Sequence, residues 1–320
     1  MRKIGVLTSG GDAPGMNSAI RAAVRYGISE GMEVYGIECG YRGLINGYIT
    51  RMDNRSVSGI IQKGGTILKT DRCPEFKEIE YQQKAVDVLA AYGIEGVIVI
   101  GGDGSFRGIQ DMKTNFGYPF VGVPGTIDND LAYTDFTLGF DTAVNTVLWA
   151  VNNLRDTMTS HERVCIVEVM GRKCGDIAIY GALAGGAEIM LVPEVQVDIA
   201  AISKKIIQNK IKGKKSDIIM LAEGVCDAEV LREELKKRTS ISLRTVKLGH
   251  IQRGGTPTMA DRVLGAKFAA RAVDLLKQDK GGRVVGIKNN KIFDMEVGQA
   301  LNTPRKLNKE LYELVNKLSQ

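Results

Sequence analysis

Short runs rich in Val, Ile and Leu recur along this chain, each ending in glycine or a polar residue and most followed by a stretch with helical spacing. That alternation confines the chain to an α/β fold built on mostly parallel sheets. The runs are Lys3–Thr8, Glu33–Glu38, Gly96–Ile100, Phe120–Val123, Val164–Val169, Glu188–Val192, Asp217–Ala222, Thr245–Leu248 and Arg283–Ile287. Apolar residues three and four apart predict helices over Asn17–Glu30, Tyr81–Tyr92, Asp141–Thr157, Ile199–Lys212, Glu229–Arg238, Ala260–Gln278 and Lys306–Lys317. A length of 320 residues is enough for about two domains, each with its own core. No low-complexity linker or internal repeat marks the boundary, which the sequence puts near Gly139 with a return near Ile251.

In open parallel sheets, ligands meet the loops beyond the carboxyl ends of the strands. Here those loops carry nearly all the chemistry: Ser9-Gly10-Gly11-Asp12, Gly101-Gly102-Asp103-Gly104-Ser105, Pro124-Gly125-Thr126-Ile127-Asp128-Asn129-Asp130, Met170-Gly171-Arg172, Glu223-Gly224 and Gly249-His250-Ile251-Gln252-Arg253-Gly254-Gly255. Glycine supplies 38 of the 320 residues, well above a typical ~7%, and with no collagen-like period these glycines call for positional reasons. Against 37 acidic side chains stand 43 basic ones, a net charge of +6. That excess suits anionic small molecules but lacks the long basic runs of a nucleic-acid tail. Five cysteines, Cys39, Cys73, Cys165, Cys174 and Cys226, are dispersed and form no C-x-x-C pair, which points to a reduced intracellular protein without a zinc site. No signal-peptide core or membrane-length apolar run is visible, so the cytoplasm is the expected address.

The first two glycine loops fit a backbone that must approach phosphate oxygens, because glycine removes the Cβ and lets successive N–H groups point inward. An ordinary strand-to-helix turn is the competing reading of each pair. Asp103 shifts the balance, since a carboxylate inside a phosphate loop repels the ligand unless a cation lies between them, and Mg²⁺ commonly takes one or two carboxylates plus phosphate oxygens. Neither the P-loop pattern nor a dinucleotide fingerprint is present. Asp128 and Asp130 stand two residues apart and in extended geometry share one side. One of them is a candidate base toward a hydroxyl that attacks phosphorus, the alternative being a turn that satisfies its own backbone. Arg72, Arg163, Arg172, Arg244 and Arg253 recur at strand ends and loops, here read as lying on the ligand edge, where guanidinium groups grip phosphates bidentately. Of the two histidines, His161 and His250, neither has metal-site spacing; His250 is either a phosphate donor or a satisfied core histidine.

The ordered motifs at 101–105, 124–130, 170–172 and 249–255 resemble those of the bacterial ATP-dependent 6-phosphofructokinases, and the resemblance runs from Ile4 to about Gly298. It implies two Rossmann-like three-layer domains: an ATP-binding domain of residues 1–139 plus about 252–305, and a fructose 6-phosphate-binding domain of residues 140–251 plus the C-terminal segment. It implies transfer of the γ-phosphate of Mg-ATP to the 1-hydroxyl of fructose 6-phosphate, in glycolysis, by a homotetramer. Carried over position by position, Asp128 becomes the general base and Asp103 the Mg²⁺ ligand, with Asp130 nearby. Arg72 and Arg172 offset charge on the moving phosphoryl group, and Thr126 joins this catalytic set. Gly11, Arg72, Cys73, Gly102, Asp103, Gly104 and Ser105 line the ATP site. Thr126, Asp128, Met170, Gly171, Arg172 and Glu223 hold the sugar. His250 and Arg253 bind the 6-phosphate together with Arg163 and Arg244, which in this family come from a neighbouring subunit.

Relatives that use pyrophosphate carry Asp at the position of Gly104 and Lys at that of Gly125, so glycine at both favours ATP. For the family's ADP and phosphoenolpyruvate effectors, Arg21, Arg25, Arg155, Gly186, Glu188, Lys212 and Lys214 match. The usual Arg at Asn54 and Asp at Gly59 are missing, and Ser216 stands where many members have His. Two other readings remain: a pyrophosphate-dependent enzyme, and a non-catalytic sugar-phosphate or nucleotide sensor on the same fold.

Overall fold

A computed structural model describes residues 2–319. The described residues divide into two compact units, the first formed by residues 2–127, 131–142 and 253–305, the second by residues 128–130, 143–252 and 306–319.

Unit 1 carries a seven-stranded sheet. Numbered in chain order, its strands are β1 (Lys3–Ser9), β2 (Glu33–Ile37), β3 (Ile49–Met52), β4 (Gly96–Gly101), β5 (Phe120–Pro124), β10 (Arg283–Lys288) and β11 (Lys291–Glu296). Their spatial order is β11-β10-β5-β4-β1-β2-β3. The five central strands run parallel, and the β2/β3 and β10/β11 pairs are antiparallel. Strand order reverses between β1 and β4, where Ser9 pairs with Gly101. This is the switch point at which a doubly wound sheet opens a crevice for ligands. Helices Met16–Ser29 and Met259–Lys277 pack together, while Gly40–Asn46, Ile79–Tyr92 and Asp103–Phe116 form a second group. Leu7, Val97 and Val99 of the sheet join Leu44, Leu89, Phe106, Ile109 and Met112 of that second group in one buried cluster. Burial of each such side chain is worth about 1.5–3 kcal/mol.

Unit 2 has four parallel strands, β6 (Val164–Val169), β7 (Ile189–Leu191), β8 (Asp217–Ala222) and β9 (Leu243–Lys247), in the order β7-β8-β6-β9. Helices Ile199–Ile211 and Ala228–Thr239 bury Ile202, Ile206, Leu231 and Leu235 against Ile166, Ile219 and Leu221. Helices Asp176–Gly185 and Lys309–Leu318 pack on each other.

The expected α/β class with mostly parallel sheets is what forms. Among the described residues, six α-helices and strands had no counterpart in the periodicity: β3, β11 and the helices Gly40–Asn46, Asp103–Phe116, Asp176–Gly185 and Val297–Leu301. Edge strands β3 and β11 are only partly buried, so they lack the continuous apolar run of an inner strand such as β4, all six of whose residues are buried. The helix Asp103–Phe116 contains Gly104 and Gly108; Gly108 is small because a Cβ there would lie 2.8 Å from the Tyr41 ring. The helix Asp176–Gly185 is apolar nearly all round and shows no face to read. β9 begins two residues earlier than expected, at Leu243. No helix among the described residues is long and apolar enough to cross a membrane.

Candidate active site

In unit 1 the candidate site combines glycine turns with a few polar side chains. Gly10, at φ 88°, turns the chain out of β1, and the helix Asp103–Phe116 starts directly beyond β4. Ser105 is buried and donates its hydroxyl to the Ser9 carbonyl at 3.1 Å, tying the two glycine turns together. The Tyr41 hydroxyl donates to the Ser105 carbonyl at 2.6 Å, and its ring stacks on Phe76 with centroids 4.0 Å apart. Apart from its chain neighbours and its own helix backbone, nothing lies within 4 Å of a Cβ built on Gly104. At Gly125 a Cβ would meet Ile100 and Met16 at 3.0 Å. Helix-start N–H groups facing open space are a ready anion site.

Asp103 is the first residue of its helix, about half-exposed, and pairs with Arg107 one turn on at 2.9 Å. An accessible carboxylate with one exposed partner suits Mg²⁺, which draws its remaining ligands from phosphate and water. Among the described residues, no three His, Cys, Asp or Glu side chains gather into a metal cage. Arg72 is exposed, and its carbonyl accepts from Arg42 at 3.1 Å. Burial holds the neighbouring Cys73 thiol above its ordinary range, so it is present as a neutral group. The Arg253 guanidinium covers Gly11, where a Cβ would overlap it, and donates to the Asp12 carbonyl at 3.2 Å. The Thr126 backbone is held by residues 137–138, its N–H donating to Leu138 at 3.1 Å and its carbonyl accepting from the Thr137 hydroxyl at 2.6 Å.

In unit 2 the site is made of side chains. Asp128 is fully buried, and the Arg172 Nε stands 3.2 Å from its Oδ2. Arg172 itself is strained, with φ 53° after Gly171 at φ 133°. That conformation is fixed from two directions: the Arg172 N–H donates to Glu223 at 2.9 Å, and Gly224 leaves no room for a Cβ against the Arg172 carbonyl. Strain of this kind costs about 1–3 kcal/mol and concentrates at functional positions. Met170 N–H donates to Gln252, which is fully buried and also donates to the Gly249 carbonyl, so the 170–172 and 249–253 loops are joined. His250 lies exposed on the short 3₁₀ turn Gly249–Arg253.

Two sequence expectations change. Asp128 and Asp130 do not share one side of an extended strand: residues 127–128 form a turn and Asn129 sits at φ 51°, so Asp128 is buried and Asp130 is not. Asn129 instead reaches Asp176 with a 2.8 Å hydrogen bond. The five arginines are not all on the ligand edge. Arg163 precedes β6 and Arg244 is the second residue of β9, so both lie at the amino ends of their strands, about 20 Å along the strand from the loop that carries Arg172.

Of the residues matched to an effector site, Arg155, Gly186, Glu188 and Lys214 gather in unit 2. Arg155 contacts Glu188 at 3.3 Å and also donates to the Gly186 carbonyl, and Lys214 contacts Glu188 at 2.9 Å. Lys212 is exposed nearby in sequence. Arg21 and Arg25 belong to the helix Met16–Ser29 of unit 1, where Arg25 donates to the Asn54 carbonyl at 3.3 Å. Residues that the motifs did not flag, Asn17, Thr8 and Arg42, carry no phosphate-site pattern and emerge only as hydrogen-bonding supports.

The chain is thus a doubly wound α/β protein with chemically armed loops at its strand ends. Residues 3–276 match the family described as Phosphofructokinase, and the chain belongs to that family. It is 56% identical over 320 residues to an ATP-dependent 6-phosphofructokinase of Clostridium botulinum, and 55% identical over 320 residues to one of Clostridium acetobutylicum, covering 100% of both chains in each pair. The phosphofructokinase structure from Saccharomyces cerevisiae is similar with a TM-score of 0.87 at 31% identity, over 100% of this chain and 47% of that one. This chain therefore spans about half the length of the yeast chain. A pyrophosphate-dependent phosphofructokinase from Marinobacter aquaeolei reaches a TM-score of 0.86 over 97% of this chain and 86% of its own, and at 19% identity that likeness concerns the fold alone.

Proposed function

We propose that the protein is an ATP-dependent 6-phosphofructokinase, moving the γ-phosphoryl group of ATP to the 1-hydroxyl of fructose 6-phosphate. The observation that carries this reading is the Asp128–Arg172 pair: a buried carboxylate able to take a proton, with the guanidinium of a residue whose backbone is strained 3.2 Å away. Asp128 removes the hydroxyl proton as the sugar oxygen attacks phosphorus and the bond to ADP breaks. Arg172 and Arg72 offset charge on the transferring group. Thr126, Asp130, Met170, Gly171 and Glu223 hold the sugar, and His250 and Arg253 its 6-phosphate. The donor rests on Gly11, Cys73 and Gly102 to Ser105. Asp103 would hold Mg²⁺, which when bound neutralises phosphate charge.

Open space at Gly104 supports a nucleotide donor over pyrophosphate. Arg163 and Arg244, at the amino ends of β6 and β9, support a site completed by a neighbouring subunit within a homotetramer. The cluster around Glu188, with Lys212, Arg21 and Arg25, is read as a site for ADP or phosphoenolpyruvate, weakened by Asn54 and Gly59. The cytoplasm is the compartment where these substrates meet.

Asp128→Ser tests the assignment. Turnover falls by about 10²–10⁴-fold, the range of general base catalysis, while fructose 6-phosphate affinity measured by titration is largely kept. Near-normal turnover removes Asp128 as the base.

A further inference from the structure

Residues 53–73 contain neither helix nor strand. So long an irregular stretch exceeds the usual limit of about 12–15 residues and is ordinarily functional. It ends in Arg72 and Cys73, read above as donor-site residues, yet nothing in its own sequence stiffens it. Its backbone polar groups need partners, and the structure shows where they come from.

Asn17, the second residue of the helix Met16–Ser29, is 1% exposed and spends its whole side-chain amide on this segment. Its Nδ2 donates to the Lys63 and Gly64 carbonyls, both at 3.1 Å, and its Oδ1 accepts from the Ile67 N–H at 2.8 Å. Beyond Ile67 the ties continue without slack. The Thr8 hydroxyl donates to the Lys69 carbonyl at 2.6 Å and lies 3.0 Å from the Thr66 hydroxyl. Thr70 donates to the Gly10 carbonyl at 2.8 Å, in the turn that also carries Gly11. Arg42 then grips the Asp71 carboxylate at 2.6 Å and the Arg72 carbonyl at 3.1 Å.

We propose that Asn17 is a positioning residue for the phosphoryl donor, holding segment 63–67 and so setting the place of Arg72 and Cys73. This deepens the reading of unit 1 as the ATP-binding part and rests on it. Asn17 is suited to the task because it offers two donors and an acceptor from one short side chain. Alanine would leave two carbonyls and one N–H without that partner, and aspartate would set oxygen against oxygen.

The test is a double-mutant cycle of Asn17→Ala with Arg72→Ala, joined to hydrogen–deuterium exchange on the unliganded protein. Asn17→Ala raises KM for ATP about tenfold, the effect of losing buried hydrogen bonds, and leaves KM for fructose 6-phosphate within about twofold. The double variant is no worse than Arg72→Ala alone within about twofold, because Asn17 acts through Arg72. Exchange of the Ile67 amide rises by about tenfold or more, with the increase confined to residues 63–73. Losses that multiply, KM values that rise together, or unchanged Ile67 exchange overturn the proposal. If Asn17→Ala does not fold, Thr8→Val tests the same strap in the same cycle, read by Lys69 to Arg72 exchange. Exchange needs no turnover, so an inactive wild-type protein would sink the assigned reaction while leaving the strap to be decided separately.

Discussion

Asp128 and Asp261 are both buried carboxylates, and their surroundings could hardly differ more. Asp261, 1% exposed in unit 1, is met by uncharged donors: the Gly139 N–H at 2.8 Å, the Thr142 N–H at 2.9 Å and the Thr142 hydroxyl at 2.5 Å. It closes the start of the helix Phe140–His161 and points at nothing that could react. Asp128 in unit 2 faces a guanidinium whose own side chain is 55% exposed and whose backbone is strained. Burial alone therefore does not mark a functional acid. What separates the two is whether the neighbour is a set of uncharged donors or an exposed cation held in a costly conformation.

The comparison breaks most visibly at Arg172. Arg172→Ala lowers turnover about 10²–10³-fold, the usual loss when a donor to a developing charge is removed. A steady-state assay at saturating fructose 6-phosphate checks it; a loss under threefold would put Asp128 in the same structural class as Asp261.

Asp261 is the next largest effect, and it appears in stability. Burial pushes its carboxyl up to about 6 from the ordinary 3.8, against the pull of its three donors. The folded state thus holds this proton more tightly than the unfolded chain does. Its contribution of about 3 kcal/mol is fully present below pH ~4 and is lost as pH rises through about 6. Asp261→Asn flattens that part of the stability–pH curve, followed by urea melts, and lowers the melting temperature without changing turnover in the folded enzyme. A changed turnover would make Asp261 more like Asp128 than its donors imply.

Gly104→Asp puts a second carboxylate directly after Asp103, where a Cβ has open space. It leaves the melting temperature unchanged within a degree or two, since a Cβ at this position has open space, and cuts kcat/KM for ATP about tenfold to thirtyfold through repulsion of phosphate. Unchanged ATP kinetics would detach Gly104 from the donor site. The smallest change is at Arg155: Arg155→Ala shifts the half-maximal concentration of ADP or phosphoenolpyruvate about tenfold with basal activity kept.

The strands and loops that bear the chemistry were legible because buried parallel strands are nearly pure apolar runs and their ends must be glycine or polar. The helix Asp103–Phe116 was hidden because it carries two glycines, Gly108 leaving room for Tyr41 and Gly104 facing open space, which weaken its helical pattern. The extended arrangement expected of Asp128 and Asp130 failed because Asn129 enters the left-handed region, which asparagine tolerates and no spacing rule foresees. Arg163 and Arg244 were misplaced for a different reason: they stand directly before the runs Val164–Val169 and Thr245–Leu248, which already puts them at the amino ends of their strands, and grouping them with Arg172 by residue type overlooked that. Asn17 was invisible since its partners are backbone groups about fifty residues away, and nothing in composition records them.

The most direct test of the whole account is a coupled assay for fructose 1,6-bisphosphate from purified protein and fructose 6-phosphate, with Mg-ATP or Mg-pyrophosphate as the only donor. Product with ATP and none with pyrophosphate is the expected result. Product with pyrophosphate alone would contradict the reading of Gly104 and Gly125, and product from neither would contradict the assignment of Asp128 and Arg172 to phosphoryl transfer.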